Sequence, residues 1–291
     1  MKKEKIIRKK MSKKRKIILS IVITIISLVV VFFLWNGLQY SAFFHPNHDN
    51  ESYKQLKQID EMTEIKIKNN DVNLSGWFWN RKGNKAPLVI FFQGNAQNSS
   101  KTMFQYYSSN ELQDMLGEYN ILIVDYPGYG LSGGKPSDDS MFTASDYIFN
   151  TAKNMQEVDP DNIVIMGYSI GTGVATYCAS QHEANGLILV APYDKALSLY
   201  NDSIDSFHGP VESLARYSFN SATYAKDVKN PVLIITSKAD KVINYQHSLN
   251  LSEQFSDLED VLILEGVDHN SYFYQETVVD KIGEFLKNRL N

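Results

Sequence analysis

Six short apolar runs constrain this chain more than any other feature. Residues 87–93 (PLVIFFQ), 120–126 (NILIVDY), 162–167 (NIVIMG), 186–191 (GLILVA), 231–236 (PVLIIT) and 261–264 (VLIL) are rich in β-branched residues and apolar at successive positions. A strand that is apolar on both faces needs cover on both, which is the environment of a parallel sheet sandwiched between helices. The intervals leave room for those helices. Segments 140–155, 171–180, 245–255 and 278–290 are predicted helical, and the last places Val278, Ile282, Phe285, Leu286 and Leu290 on one face. Residues 64–68 and 72–80 alternate in character and predict an opening antiparallel pair. The expected architecture is a doubly wound, mostly parallel α/β sheet forming one domain over residues 61–291.

A second apolar run is of another kind. From Ile17 to Trp35 nineteen residues carry no charge, and a helix of that length spans roughly 28 Å, close to the hydrocarbon thickness of a bilayer. A core helix would show a polar face over five turns. Ten Lys or Arg and one Glu lie within residues 1–16, so this tail carries +9 while the rest of the chain carries −13. Such a basic flank is expected to stay cytoplasmic, with the body outside. Trp35, Tyr40, Phe43 and Phe44 follow the run, where an interfacial aromatic belt belongs. The run exceeds the usual 7–15 residue core of a cleaved signal and no clear A-x-A site follows, so a retained signal anchor is expected. The resulting division is a basic cytoplasmic tail (1–16), a transmembrane anchor (17–35), a juxtamembrane linker (36–60) that is polar over residues 47–60, and the folded domain. The tail's position before the span makes charge-directed topology a simpler cause than nucleic-acid binding.

The sharpest chemical signal is Gly167-Tyr168-Ser169-Ile170-Gly171, a G-x-S-x-G pattern at the end of an apolar strand and the start of a helix-forming run. This is the setting of a nucleophile elbow, in which a strained turn lifts the serine hydroxyl above the sheet. Serine needs a base, and the base needs an orienting acid. The elbow expects them in the order Ser, Asp or Glu, His, each after a later strand. Asp240 follows the 231–236 strand and His269 follows the 261–264 strand, so both fall at the sheet edge that displays Ser169. Of six histidines only His269 fits that order, with His45 and His48 preceding the fold and His208 in an insertion. Asp194 and Asp268 are competing acids, Asp268 the weaker because adjacent side chains on a tight loop diverge. An oxyanion hole requires two backbone N–H groups. Ile170 supplies one, and Asn95, after Gly94, the second, with Ala96 the nearest alternative.

Residues 128–135 (GYGLSGGK) mimic a phosphate loop, but Tyr129 stands where glycine is needed and Pro136 where Ser or Thr is needed. The run is expected to be a tight loop at the rim of the site. No G-x-G-x-x-G pattern suits a dinucleotide and no spacing suggests a metal, so no cofactor is expected. Cys178 is the single cysteine, which excludes an internal disulfide, and it is expected to be a buried small apolar residue.

The ordered set FFQGNAQN (91–98), DYPGYGLSGGKPS (125–137), GYSIG, the Asp240 loop and the His269 loop resembles the α/β-hydrolase superfamily. More narrowly it resembles the membrane-anchored, single-domain branch of serine-aminopeptidase-like or abhydrolase-domain proteins, over Glu64–Leu290. The resemblance implies Ser169 as nucleophile, Asp240 as acid and His269 as base. The sequence departs at Gln93, where relatives commonly carry histidine before the oxyanion glycine. Residues 192–230 occupy the place of a lid insertion, in which Leu197, Leu199, Tyr200, Phe207, Val211, Leu214, Tyr217 and Phe219 either line an acyl pocket or pack the insertion on the sheet. The expected activity is hydrolysis of a small-molecule or lipid-like carboxylic ester through an acyl-enzyme. An amide or peptide hydrolase of aminopeptidase type is the alternative enzyme, and a catalytically silent tethered binding protein the alternative outside enzymes.

Overall fold

The computed structural model describes residues 12–48, 51–69, 72–83, 85–117, 119–203 and 209–290. Most of the basic tail (1–11) and Phe207 of the insertion lie outside these residues. The chain divides into two compact units, Met1–Phe43 and Phe44–Asn291.

Among its described residues the first unit is one helix, α1 (Lys13–Phe43), long and apolar enough to cross a membrane, with its apolar side chains exposed along its length. It begins earlier and ends later than the apolar run, because nothing at Lys16 or Trp35 breaks a helix: no proline or capping residue stands there.

The second unit alternates strands and helices in chain order: α2 (Glu51–Leu56), β1 (Met62–Asn69), β2 (Val72–Trp79), β3 (Ala86–Phe92), α3 (Ser99–Ser108), α4 (Asn110–Leu116), β4 (Asn120–Val124), α5 (Asp138–Lys153), β5 (Val158–Tyr168), α6 (Ile170–Gln181), β6 (Gly186–Val190), α7 (Ala196–Ser203), α8 (Ser221–Ala225), β7 (Val232–Ser237), α9 (Tyr245–Ser252), β8 (Leu258–Leu264) and α10 (Glu276–Arg289). Short 3-10 turns cover Gly209–Leu214 and His269–Tyr274. The eight strands form one sheet in the order β1-β2-β4-β3-β5-β6-β7-β8. β2 runs antiparallel to both β1 and β4, and every pairing from β4 to β8 is parallel. The expected fold class is therefore the observed one.

Strand residues alternate between two buried faces. Val89, Phe91, Val164, Met166, Ile188 and Ile235 join the cluster formed with α3, α4 and α10. Their neighbours Leu88, Ile90, Ile163, Ile165, Leu187 and Ile234 are equally buried, and α6 packs against β3, β5 and β6. This two-sided burial is why the runs read as continuously apolar. Local signals start the helices. Ser137 and Ser140 cap α5 reciprocally, each side chain accepting from the other's backbone N–H at 3.1 and 2.9 Å.

The structure corrects the expected linker. Residues 36–43 continue α1, residues 51–56 form α2, and Leu56 is fully buried in the sheet's core. His45 and His48 do not merely precede the fold either; both are bonded to loops at the sheet's carboxyl edge. The insertion holds α7, a 3-10 turn and α8. Tyr217 and Phe219 are buried, Phe219 against Phe142 at 5.4 Å between ring centroids, while Leu214 is exposed. These two aromatic residues pack the insertion onto the body.

Candidate active site

Ser169 stands between β5 and α6 at φ 55°, ψ −123°, a conformation L residues seldom adopt and one held only by its surroundings. The flanking glycines permit it. A Cβ on Gly167 would lie 2.7 Å from both the Ala175 Cβ and the Gly171 carbonyl oxygen, and one on Gly171 would lie 2.6 Å from the Gln93 carbonyl oxygen. The turn projects Ser169 at the carboxyl edge of the sheet, with Ile170 as first residue of α6. The Ile170 N–H is thus among the helix's initial donors, which have no intrahelical acceptor.

The three residues drawn from 100 positions of chain meet there. His269 Nε2 lies 2.9 Å from Ser169 Oγ, and His269 Nδ1 lies 2.7 Å from Asp240 Oδ2. All three are buried. Asp240 is held at four points: its Oδ1 accepts from the N–H groups of Val242 (2.8 Å) and Ile243 (2.9 Å), and its Oδ2 also accepts from the Tyr272 hydroxyl at 3.0 Å. Burial pushes the Asp240 carboxyl up, but the bond and charge of His269 and the two backbone donors outweigh it, leaving its pKa below the ordinary value. Of the competing acids, Asp194 faces His247 Nδ1 at 3.5 Å and accepts from the Lys195 N–H. Asp268 precedes the 3-10 turn, and its carbonyl accepts from the Ser271 N–H.

Tyr168 and Tyr272 support this chain, and sequence reasoning missed both. The Tyr168 hydroxyl donates to the His269 carbonyl at 2.6 Å, and its ring stacks on the imidazole at 5.4 Å between centroids. The tyrosines occupy an unspecified position of G-x-S-x-G and the third residue after histidine, where the motif prescribes nothing.

The loop after β3 carries the second expected oxyanion donor. Asn95 Oδ1 accepts from the N–H groups of His45 (3.0 Å) and Ala96 (3.1 Å) and from the Tyr129 hydroxyl (2.8 Å), while its Nδ2 donates to His45 Nδ1 at 2.9 Å. The alternative donor, Ala96, therefore has its N–H engaged. Asn47 adds a bond from its Nδ2 to the Ala96 carbonyl (3.0 Å), and its Oδ1 accepts from Asn98 Nδ2 at 3.2 Å. A strap of residues 45–48 thus binds the loop across 50 positions of sequence.

Gln93 sits beneath that loop. Its Oε1 accepts from Thr102 Oγ1 (3.1 Å), its carbonyl from the Tyr126 hydroxyl (2.7 Å), and its Nε2 donates to Asp125 Oδ1 at 3.3 Å. Asp125 is buried and accepts further from the N–H groups of Ser99 (2.6 Å) and Leu131 (3.1 Å). Burial dominates here and raises its pKa despite those donors. The glutamine thus bonds where a histidine commonly stands, and the glycine-rich run folds over Asp125 as a rim loop, reaching Asn95 through Tyr129. Among the described residues no cluster of three or more His, Cys, Asp or Glu is arranged to hold a metal. Cys178 is buried and its thiol pKa is raised by that burial.

A family model described as the α/β hydrolase fold matches residues 87–214. The chain has the α/β-hydrolase fold. The Pyrococcus furiosus esterase Pf2001 superposes with a TM-score of 0.65 at 20% identity, covering 85% of this chain and 99% of that one. Est1E from Butyrivibrio proteoclasticus, solved with ferulic acid bound, gives 0.59 at 19% identity over 77% and 98%. The Pyrococcus horikoshii acylaminoacyl peptidase gives 0.62 at 19% identity over 83% of this chain and 44% of that one. Among curated proteins, α/β hydrolase domain-containing protein 17C of Mus musculus is 27% identical over 223 residues, 73% of this chain and 68% of that protein. The Xenopus tropicalis protein of the same name is 29% identical over 171 residues, covering 59% and 53%. This chain therefore spans about two thirds or less of the length of these hydrolase-fold relatives.

Proposed function

We propose that the protein is a membrane-anchored serine hydrolase that cleaves carboxylic esters through a Ser169–His269–Asp240 triad. The observation that carries this reading is the continuous hydrogen-bond chain of 2.9 and 2.7 Å from Ser169 through His269 to Asp240, in the elbow geometry of its fold. His269 Nε2 takes the proton of Ser169 as Oγ attacks the ester carbonyl. The backbone N–H groups of Asn95 and Ile170 stabilise the tetrahedral oxyanion. His269 then protonates the departing alkoxide, and a water activated by the same imidazole hydrolyses the acyl-enzyme. Asp240 keeps the proton of neutral His269 on Nδ1, so Nε2 is the base. No metal or organic cofactor enters these steps. The substrate class is a small-molecule or lipid-like ester, in keeping with the structural neighbour described as an esterase. α1 anchors the chain in the membrane, the basic tail cytoplasmic and the hydrolase domain on the other side.

Labelling of the full chain by a fluorophosphonate, abolished in Ser169→Ala, tests the nucleophile; a folded wild type that takes no label overturns it. The acylaminoacyl peptidase among the neighbours favours amide hydrolysis as the second reading. A panel of acyl p-nitrophenyl esters against aminoacyl amides separates the two. Retention in the pellet after carbonate washing tests the anchor, and a protease applied to intact cells tests which side the domain occupies.

A further inference from the structure

One oxygen of the acid is claimed twice. Asp240 Oδ2 lies 2.7 Å from His269 Nδ1 and 3.0 Å from the Tyr272 hydroxyl. Both partners sit on the same 3-10 turn, His269–Tyr274. Such a turn has about three residues per rotation, so side chains three apart eclipse. The spacing of His269 and Tyr272 therefore delivers two donors to one carboxylate oxygen, with the rings edge to face at 6.5 Å between centroids.

Charge fixes the direction of the Tyr272 bond. Asp240 has its pKa below the ordinary value, so at neutral pH it is a carboxylate and only accepts. Tyr272 is 1% exposed, and burial together with the facing Asp240 charge pushes its pKa up, so its hydroxyl keeps its proton and donates. The Asp240 side chain is fully buried, which keeps bulk solvent from screening the bond. Its other oxygen, Oδ1, is held by the Val242 and Ile243 N–H groups, so the carboxylate keeps its orientation without Tyr272. What the hydroxyl adds is electrostatic. The titratable groups facing the two rings are Asp240, from the loop after β7, and Tyr168, from β5; the Tyr168 hydroxyl is spent on the His269 carbonyl, which leaves Asp240 as the charge that both donors address.

We propose that Tyr272 is a positioning residue that acts on the base through the acid: by sharing Asp240 Oδ2 with His269, it tempers the hold of Asp240 on an imidazolium and sets the acidic edge of the enzyme's working range. The assignment rests on the hydrolase reading, since that reading makes His269 the base. Charge drawn toward the hydroxyl is withheld from the imidazole. With the carboxylate undivided, the ring would hold a second proton further up the pH scale, and Nε2 could not accept from Ser169 there. Tyr272 gives up part of the stabilisation of the imidazolium in exchange for a base that is free at lower pH.

The full chain in detergent, assayed on a p-nitrophenyl ester across pH, tests this. The acid limb of kcat/KM follows the base of the free enzyme. Tyr272→Phe is expected to move that limb toward higher pH by about half to one unit, the worth of one hydrogen bond between neutral groups. A fluorotyrosine installed at the same site, a stronger donor of nearly the same shape, is expected to move it the other way. A limb unmoved by both changes, or moved in one direction by both, overturns the proposal; a hydroxyl serving only the fold would lower rates at every pH and leave the limb in place. Where Tyr272→Phe melts too low to assay, the fluorotyrosine protein, which keeps ring and hydroxyl, decides alone. Failure of the hydrolase reading has a different signature: no turnover and no fluorophosphonate label in the wild type, with the His269 Nδ1–H resonance in proton NMR still moving downfield in Tyr272→Phe. A resonance that stays in place overturns the proposal with or without turnover.

Discussion

Replacing Asp240 by asparagine tests the relay at the point where the geometry is most determinate. An amide can face its neighbours in two ways. Asp240 Oδ1 accepts from two backbone N–H groups, at 2.8 and 2.9 Å, so the asparagine oxygen belongs there; turning the NH₂ toward them sets donors against donors and loses two hydrogen bonds, at about 1 kcal/mol each or more. The NH₂ must then face His269 Nδ1. That nitrogen becomes an acceptor, the imidazole proton moves to Nε2, and Nε2 can no longer take the proton of Ser169. The Tyr272 hydroxyl adjusts by accepting from the new NH₂. The fold is kept while the base is disabled, and the expected loss in kcat is on the order of 10⁴, about 5.4 kcal/mol of transition-state stabilisation. Initial rates on a p-nitrophenyl ester, with thermal melting as a control for folding, measure it. Asp194→Asn, whose carboxylate meets His247 and the Lys195 N–H, and Asp268→Asn, at an exposed residue, are expected to stay within about tenfold of wild type. A folded Asp240→Asn protein with more than a tenth of wild-type kcat would refute the tautomer argument.

Three further outcomes are expected. Asn47→Ala removes the strap's bonds to Ala96 and Asn98, and should lower kcat by roughly ten- to a hundredfold with little change in KM, because a displaced oxyanion loop affects the transition state rather than ground-state binding; a purely higher KM counts against it. Acid melting curves should depend on Asp240: its folded pKa lies below the unfolded value, so the stabilisation is present above about pH 4 and lost as pH falls further, and Asp240→Asn should flatten that acid limb, whereas buried Asp125, shifted upward, contributes in the opposite sense. Cys178, buried and with its thiol pKa raised, should resist maleimide in the native protein and react fully in denaturant; rapid native labelling would contradict its burial.

The features legible in sequence share one property: each repeats a local rule. Strands buried on both faces are bound to be apolar throughout, so β3 to β7 were readable to within a few residues, and G-x-S-x-G is readable because the elbow's glycines are sterically required. Asp240 and His269 stand out by chain order after strands, not by their own surroundings. What escaped was nonlocal. α3 and α4 carry polar residues through short helices and have weak periodicity. Residues 44–48 look like a polar linker because their bonds are to loops 50 and 82 positions away. Tyr168 and Tyr272 are unremarkable in sequence, since a tyrosine's role is decided by what its hydroxyl meets. Gln93 looked like a departure from the family's histidine, and only Asp125, Thr102 and Tyr126 explain it.

The strap has a consequence for any form of this protein cut free of α1. A cut chosen by composition, at the polar stretch before residue 61, would discard the segment that pins Asn95 and the α2 residue Leu56 from the core. On the proposed function, a fragment that keeps full turnover begins no later than Phe44. On that reading a cut at the wrong peptide bond would act as inactivation, and a chimera carrying another N-terminal helix would keep the Asn95 loop in place only by retaining those few residues.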